Sequence, residues 1–202
     1  MKNYICIGGK KIELTEEQLK TLGVDVGKQP CATLSEDGKI AKIGDYEFIV
    51  LKKNEDTIEL LLKDILEKRT FDGDDNNFAA SDLRQCLDDF ADKIAEVVGE
   101  DNIVEHTVDL TADDGLKDYG SCECRMSLLT APMYREHVYT IDQFKIDKWW
   151  WLATAYSTPK HEDNNWIKCV SPSGDIYCNY YYYDSGGVRP FCILKSSIFV
   201  SK

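Results

Sequence analysis

The chain has 202 residues, with 36 Asp and Glu against 24 Lys and Arg, for a formal net charge of −12. That balance argues against a nucleic-acid partner, because phosphate backbones are gripped by clustered Lys and Arg, and it argues against anionic membrane surfaces for the same reason. Hydrophobic residues at 43% and charged residues at 30% fit a soluble globular protein and exclude a disordered one.

No apolar run approaches the roughly 20 residues that cross a bilayer, so membrane insertion is not expected. Residues 1–7 reach Gly8-Gly9-Lys10-Lys11 too soon for a secretory signal. The expectation is a protein made in the cytosol, with association with a virion or export by a non-classical route left open. Cysteines stand at 6, 31, 86, 122, 124, 169, 178 and 192. None forms a C-x-x-C, and Cys122-Glu123-Cys124 is too tight for a paired zinc knuckle. They read as reduced thiols, several of them small core residues.

Taken in chain order, residues 3–14 predict a hairpin around Gly8-Gly9, and Thr15-Glu16-Glu17-Gln18 fits a capping box that starts a short helix ending near Gly23. Residues 24–38 hold Gly, Pro, Ser and Asp without periodicity and read as a linker, so an N-terminal appendage of 1–38 precedes a main domain of 39–202. That domain opens with a strand over Lys42–Leu51, where Tyr46, Phe48 and Val50 alternate, then a turn and a second strand over Thr57–Leu62. Asp72–Asn77 is a loop, and Ser81 caps the strongest helix, in which Leu83, Cys86, Leu87, Phe90, Ile94 and Val97 form an apolar stripe closed by Gly99. Val104–Leu110 is extended as strand or loop, Met126–Leu129 is a strand, and Thr130 caps a one- or two-turn helix through Tyr139. Beyond Lys148, short aromatic strands are broken by Pro159, Asn164-Asn165, Pro172, Gly174 and Gly186-Gly187. The fold class is α+β, two main helices beside an irregular, mainly antiparallel sheet with long loops.

Enzymatic motifs are missing. His106, His137 and His161 are scattered, and no H-E-x-x-H, G-x-S-x-G, P-loop or dinucleotide fingerprint occurs. The oxygen-rich run Asp72-Gly73-Asp74-Asp75-Asn76-Asn77 lacks the ordered spacing and distal Glu of a calcium loop and reads as a solvated turn. No catalytic residue, metal ligand or cofactor is assigned.

The aromatic C-terminal third carries the strongest signal. Trp149-Trp150-Trp151 on a strand sends the first and third rings to one face and the second to the other, so that strand is expected to be buried on both sides. Arg189 reads as a structural clamp on backbone or carboxylate. The run Tyr180-Tyr181-Tyr182-Tyr183 cannot point all its rings inward, because successive side chains on a strand face opposite ways. Exposed tyrosine gives a large, stiff, amphipathic surface suited to recognition.

The series WWWLAT (149–154), NNW (164–166), VSPSG (170–174) and GVRPF (187–191) resembles the C-terminal half of C-type-lectin-fold proteins related to the formylglycine-generating enzyme. Members commonly read as a WWLRSP-like strand, a VNSDG-like turn and a closing GVRPAL-like segment. Asn76–Leu87 also resembles that bacterial family's N-Y-x-x-S-x-L-R-x-W-L helix start. The resemblance covers roughly residues 40–200 and leaves residues 1–22 outside.

One branch of that fold comprises the variable proteins of diversity-generating retroelements, found in phages and bacteria, many from the gut. In them, adenine-directed mutagenesis rewrites Asn codons just before the closing motif. Randomised codons ending in a pyrimidine cannot encode Met, Trp, Lys, Gln or Glu, and residues 176–187, I-Y-C-N-Y-Y-Y-Y-D-S-G-G, contain none of these. The resemblance therefore implies a hypervariable region at about 166–191 that binds a protein or glycan on a cell or phage surface. Its expected contact residues are Trp166, Lys168, Ser173, Asp175, Tyr177, Asn179, Tyr180, Tyr181, Tyr182, Tyr183, Asp184 and Ser185. Ala153 stands where relatives often carry Arg, and the cysteine and copper chemistry of the family's enzymes does not map onto Cys169, Cys178 or Cys192. A non-enzymatic ligand-binding protein is the expectation. A formylglycine-generating-type oxidoreductase and a phage or bacterial structural component are the alternatives.

Overall fold

The structure, a computed structural model, describes residues 3–7, 10–15, 18, 21, 32–139 and 144–201. It forms two compact units, Met1–Cys31 and Ala32–Lys202. In the first unit, β1 (Asn3–Ile7) and β2 (Lys10–Leu14) pair antiparallel, with Asn3 opposite Leu14 and Ile7 opposite Lys10. The Thr15 N–H donates to Gln18 Oε1 at 2.9 Å, and the Gln18 N–H donates to Thr15 Oγ1 at 3.3 Å. This reciprocal pair satisfies two donors that a helix start leaves open, as the capping box requires. The Gly8-Gly9 turn and the expected helix end near Gly23 lie outside the described residues.

In the second unit the first strands are β3 (Ala32–Leu34), β4 (Ile40–Ile43), β5 (Tyr46–Lys53), β6 (Thr57–Leu62) and β7 (Glu67–Arg69), followed by helix α1 (Asp82–Val98). Next come β8 (Ile103–Val104), β9 (His106–Asp109), β10 (Ser121–Cys124), β11 (Met126–Ser127) and helix α2 (Ala131–His137). The chain closes with β12 (Trp150–Ala155), β13 (Trp166–Val170), β14 (Ile176–Tyr180), β15 (Gly186–Val188), β16 (Phe191–Lys195) and β17 (Phe199–Ser201). One sheet runs in the order β11-β16-β6-β5-β4-β3-β17, with β8 also on β16. A second runs β14-β13-β12-β15-β7, and β9 pairs with β10 alone. The pairings are antiparallel except β3 with β17 and β12 with β15. The described chain is α+β and mostly sheet.

Two local expectations are corrected. Residues 32–34, read as linker, form a strand between β4 and β17. Three residues are too few to show a period, so only pairing with distant partners reveals that strand. The continuous strand over Lys42–Leu51 is instead two strands folded back at Gly44, whose φ of +55° suits the left-handed region open to glycine. Helix α1 ends at Gly99 as expected. Ser81 does occupy its cap position but makes no side-chain cap bond. The Asp72 carboxylate supplies it from ten residues upstream: Oδ1 accepts from the Asp82 N–H at 2.9 Å, and Oδ2 accepts from Asp74 and Asp75. A carboxylate at a helix start also complements the helix dipole.

The apolar stripe of α1 buries Leu83, Cys86, Leu87, Phe90 and Ile94 with Phe48, Leu60 and Trp151, while Val97 is half-buried at its end. A second cluster gathers Tyr134 of α2 with Phe144, Trp150, Leu152 and Phe191. Alternation along β12 thus sends Trp151 into one cluster and Trp150 into the other. The adjacent Gly186 sits against the Trp151 indole so closely that a Cβ there would overlap the ring. That contact, not a turn, requires glycine.

Arg189 is fully buried. Its Nε donates to Leu62 O at 2.8 Å, Nη1 to Phe144 O at 2.7 Å, and Nη2 to Lys63 O at 3.0 Å. The guanidinium also lies 5.0 Å from the Trp150 ring centroid and 5.5 Å from that of Phe144. Burial pushes its pKa down to about 10, so it stays charged at neutral pH. Arg189→Met leaves three buried carbonyls without donors and is expected to destabilise the fold by about 3–5 kcal/mol, read from urea unfolding. A loss under 1 kcal/mol contradicts the clamp.

Candidate ligand-binding surface

Strands β13 and β14 form an antiparallel hairpin at the edge of the second sheet, with Trp166 opposite Tyr180, Lys168 opposite Cys178 and Val170 opposite Ile176. Alternation gives the hairpin two different faces. Ile167, Cys169 and Tyr177 turn toward the α1 core. Trp166, Lys168, Cys178 and Tyr180 turn the other way, and the α2 cluster covers that face only at its Val170–Ile176 end.

At the uncovered end four aromatic rings cluster. Trp166 and Tyr180 lie 3.8 Å apart between centroids at 29°, and Tyr180 and Tyr182 lie 5.1 Å apart at 17°. Tyr183 closes a triangle with these two tyrosines, 6.0 Å from Tyr182 at 25° and 6.1 Å from Tyr180 at 41°. Tyr182 and Tyr183 are 53% and 45% exposed, whereas Trp166 and Tyr180 are half-buried. Offset stacking is a favoured arrangement for such rings. Each restrains its neighbour, so the outer phenols present a stiff platform to solvent.

Backbone bonds hold that platform. Tyr181 turns its ring toward the α1 core, its carbonyl accepts from the Phe71 N–H at 2.9 Å and the Asp72 N–H at 3.3 Å, and its own N–H donates to Asn165 O at 3.2 Å. Beneath lies Asn76, fully buried, whose Nδ2 donates to Trp166 O at 2.7 Å and Ser157 O at 3.0 Å. Its Oδ1 accepts from the Tyr119 hydroxyl at 2.6 Å. Both N–H donors of that amide and one of the two lone pairs on its oxygen are used within the protein. The run Asp72–Asn77 is therefore a structural staple between α1 and the base of the aromatic stack.

Along the hairpin the platform meets a charged centre. Lys168 is buried, with its Nζ 3.0 Å from Asp113 Oδ2 and 5.6 Å from the Tyr156 ring centroid. Asp113 also accepts from Arg135 Nη2 at 3.0 Å. Burial is the largest single influence on Lys168 and opposes its charge, but the hydrogen bond and charge of Asp113 and the nearby Cys178 together outweigh it and hold the ammonium above its ordinary value. For Asp113, burial likewise opposes ionisation, and the bonds from Lys168 and Arg135 keep the carboxyl below its usual range. Lys168 is thus committed to an internal ion pair.

The predicted contact residues divide. Trp166, Tyr180, Tyr182, Tyr183 and exposed Asp184 gather at one end, with half-buried Ser185 leading into Gly186. Ser173 and Asp175 sit in the turn at the opposite end of the hairpin, where Ser173 Oγ donates to Asp175 Oδ2 at 2.6 Å. Four strand residues, roughly 13 Å, separate the two ends. Tyr177 and Asn179 occupy the inward face; Tyr177 packs 6.4 Å from the Trp149 ring, and Asn179 Oδ1 accepts from the Tyr180 N–H at 3.1 Å. Residues 186–190 are buried, so the expected hypervariable span of 166–191 includes core.

Sequence reading missed Tyr156, 43% exposed beside Trp166, although the alternation of β12 carried one step further points to it. It also missed the buried support from Asn76 and Tyr119, which no local pattern signals. Ser157 Oγ and His161 Nδ1 both contact Asp114 Oδ2, at 2.6 and 3.0 Å. The carboxylate, not the imidazole, accepts the Ser157 proton, so these three residues are not arranged as a nucleophile and its base.

No family model, curated protein or solved structure matches the chain. Among the described residues, no helix is long and apolar enough to cross a membrane.

A carboxylate depressed in the folded state stabilises it above the unfolded pKa, near 3.9 for Asp. That contribution disappears as pH falls through the folded value. Asp113→Asn is accordingly expected to be less stable than the parent at pH 7 and to approach it below about pH 4. Thermal melts across pH 3–7 check the convergence; parallel curves contradict it.

Proposed function

We propose that the chain is a non-enzymatic ligand-binding protein of the C-type-lectin type, akin to the variable proteins of diversity-generating retroelements. Its recognition surface is the end of the β13–β14 hairpin, and its target is a protein or glycan on a cell or phage surface. The observation that carries this reading is the aromatic cluster of Trp166, Tyr180, Tyr182 and Tyr183, in which the last two rings are about half exposed. Large aromatic faces kept in water on a rigid base are expensive for solubility and rewarding for binding.

The arrangement also explains how residues could vary here without loss of the fold. Tyr182, Tyr183 and Asp184 project from a turn, while Gly186, Val188 and Arg189 behind them are buried. Substitution at the former leaves the latter in place. The thiols support a non-enzymatic role. Cys169 and Cys178 turn to opposite faces of the hairpin. Burial pushes the Cys169 and Cys192 thiols up to about 12. These three cysteines do not fit the cysteine and copper site of formylglycine-generating enzymes.

The deciding variant is Tyr182→Ser with Tyr183→Ser, which spares the inward Tyr181. Its melting temperature is expected to stay within about 5 °C of the parent, since exposed substitutions change stability by about 0.5 kcal/mol or less. Binding to whichever immobilised glycan or intact bacterium retains the parent is expected to fall at least tenfold. Unchanged binding by the double variant removes the hairpin end from recognition.

A further inference from the structure

A second site lies on the β9–β10 hairpin, in the same unit but on different strands. Cys122 and Cys124 are two residues apart on β10 and so share a face. Their sulfurs are 3.6 Å apart. Arg84, in the first turn of α1, sends Nη1 to both: 3.4 Å to Cys122 Sγ and 3.0 Å to Cys124 Sγ. Its Nη2 donates to Glu123 O at 3.4 Å, and its guanidinium lies 5.6 Å from the Phe78 centroid. Packing alone does not require a cation against two thiols, and Arg84 Nε is left buried without a partner.

We propose that Cys122 and Cys124 are a redox-active dithiol that closes to a disulfide by exchange with a small-molecule disulfide, with Arg84 as its positioning cation. Residues two apart on a strand have Cα atoms roughly 6.6 Å apart, at the top of the span of about 4.4–6.8 Å that a disulfide bridges. Closure needs β10, paired with β9 alone, to bend so that the two Cβ atoms approach to about 4 Å. The two sulfurs differ in access as the reaction needs: Cys122 is half-buried and Cys124 is buried. The hydrogen bond from Cys124, and then the charge of Arg84, bring the Cys122 thiol down to about 7 against the effect of burial. The same hydrogen bond, with burial, pushes the Cys124 thiol up. One sulfur is thus the attacking thiolate and its neighbour the resolving thiol. A guanidinium touching both sulfurs disfavours a soft metal cation in the same place.

In the first step the Cys122 thiolate attacks one sulfur of the small disulfide, forming a mixed disulfide and expelling one thiolate. Cys124 then gives its proton to solvent and attacks Cys122 Sγ. This expels the second thiolate and closes the Cys122–Cys124 bond. Two electrons pass from the protein to the small disulfide, and its two thiolates take up protons from solvent. Exchange removes the thiolate that faces Arg84 and ties the strand to itself, leaving the aromatic platform untouched.

The test uses the full reduced chain with glutathione disulfide. Intact mass is expected to fall by two hydrogens, and peptide mapping to place the bond between Cys122 and Cys124. Cys124→Ser is expected to stop at one glutathione on Cys122. Cys178 serves as an internal control, because burial raises its thiol despite nearby Lys168. In Arg84→Gln the hydrogen bond from Cys124 remains while the cation is lost, so the Cys122 thiol rises part-way. Its reaction with glutathione disulfide at pH 6.5 is expected to slow about two- to fivefold, greater intrinsic nucleophilicity offsetting part of the lost thiolate. If the wild-type chain keeps both thiols reduced, or Cys122 reacts no faster than Cys178, the proposal is overturned. Both readouts come from the unmutated protein and do not depend on a variant folding.

Discussion

A buried guanidinium joins the two large sheets. Arg189 lies between β15 of one sheet and β16 of the other, and it binds carbonyls at Leu62, Lys63 and Phe144. Around it the backbone follows suit: Leu62 N–H donates to Pro190 O, and Leu66 N–H donates to Val188 O. Burying a cation without a carboxylate in contact costs several kcal/mol unless hydrogen bonds compensate for the lost water. Three carbonyls take three of the five N–H groups, and two aromatic rings lie against the guanidinium. The geometry of residues 62–66 and 186–191 is therefore specified together, and β12, which pairs with β15, inherits its position.

From that anchor the aromatic platform can be traced as a mechanical sequence. Trp151 packs on Gly186 and donates its indole N–H to Arg69 O at 3.0 Å. β13 pairs with β12, and β14 with β13. Asn76 then ties the start of β13 to the loop that caps α1. Across the sheet, exposure rises from buried β12 to half-buried β14 and ends at Tyr182 and Tyr183. Rigidity at the base and exposure at the tip are consequences of the same pairing order. This is the combination that lets contact residues change without unfolding what carries them.

The thiol pair and the platform use α1 in different ways. Asp72 closes the helix start from the platform side, whereas Arg84 leaves its first turn toward β10. A helix N-terminus carries partial positive charge. The carboxylate is drawn to that charge directly, and the thiolate is stabilised by the cation mounted beside it. One short stretch of chain, residues 81–84, thereby supports both regions.

Local chemistry was sufficient for the hairpin of residues 3–14, the capping pair Thr15 and Gln18, strand Thr57–Leu62, the stripe of α1 and the two-sided burial of β12. In each, the deciding interactions lie within a few residues or follow a simple period. Arg189 was also readable as a clamp, because a cation between Val188 and Pro190 must find partners inside. Tertiary structure alone decided that Ala32–Leu34 is a strand, that Asp72 and not the Ser81 side chain caps α1, and which tyrosines face water. It separated Ser173 and Asp175 from the clustered rings and committed Lys168 to an ion pair with Asp113. The reason common to all of these is that each depends on partners outside its local sequence pattern; for the strand residues, a side chain's face is set by the register, which distant partners fix. A run of four tyrosines dictates that some must be exposed; only the turn that follows β14, with Tyr181 tied to Asn165 and Phe71, selects Tyr182 and Tyr183.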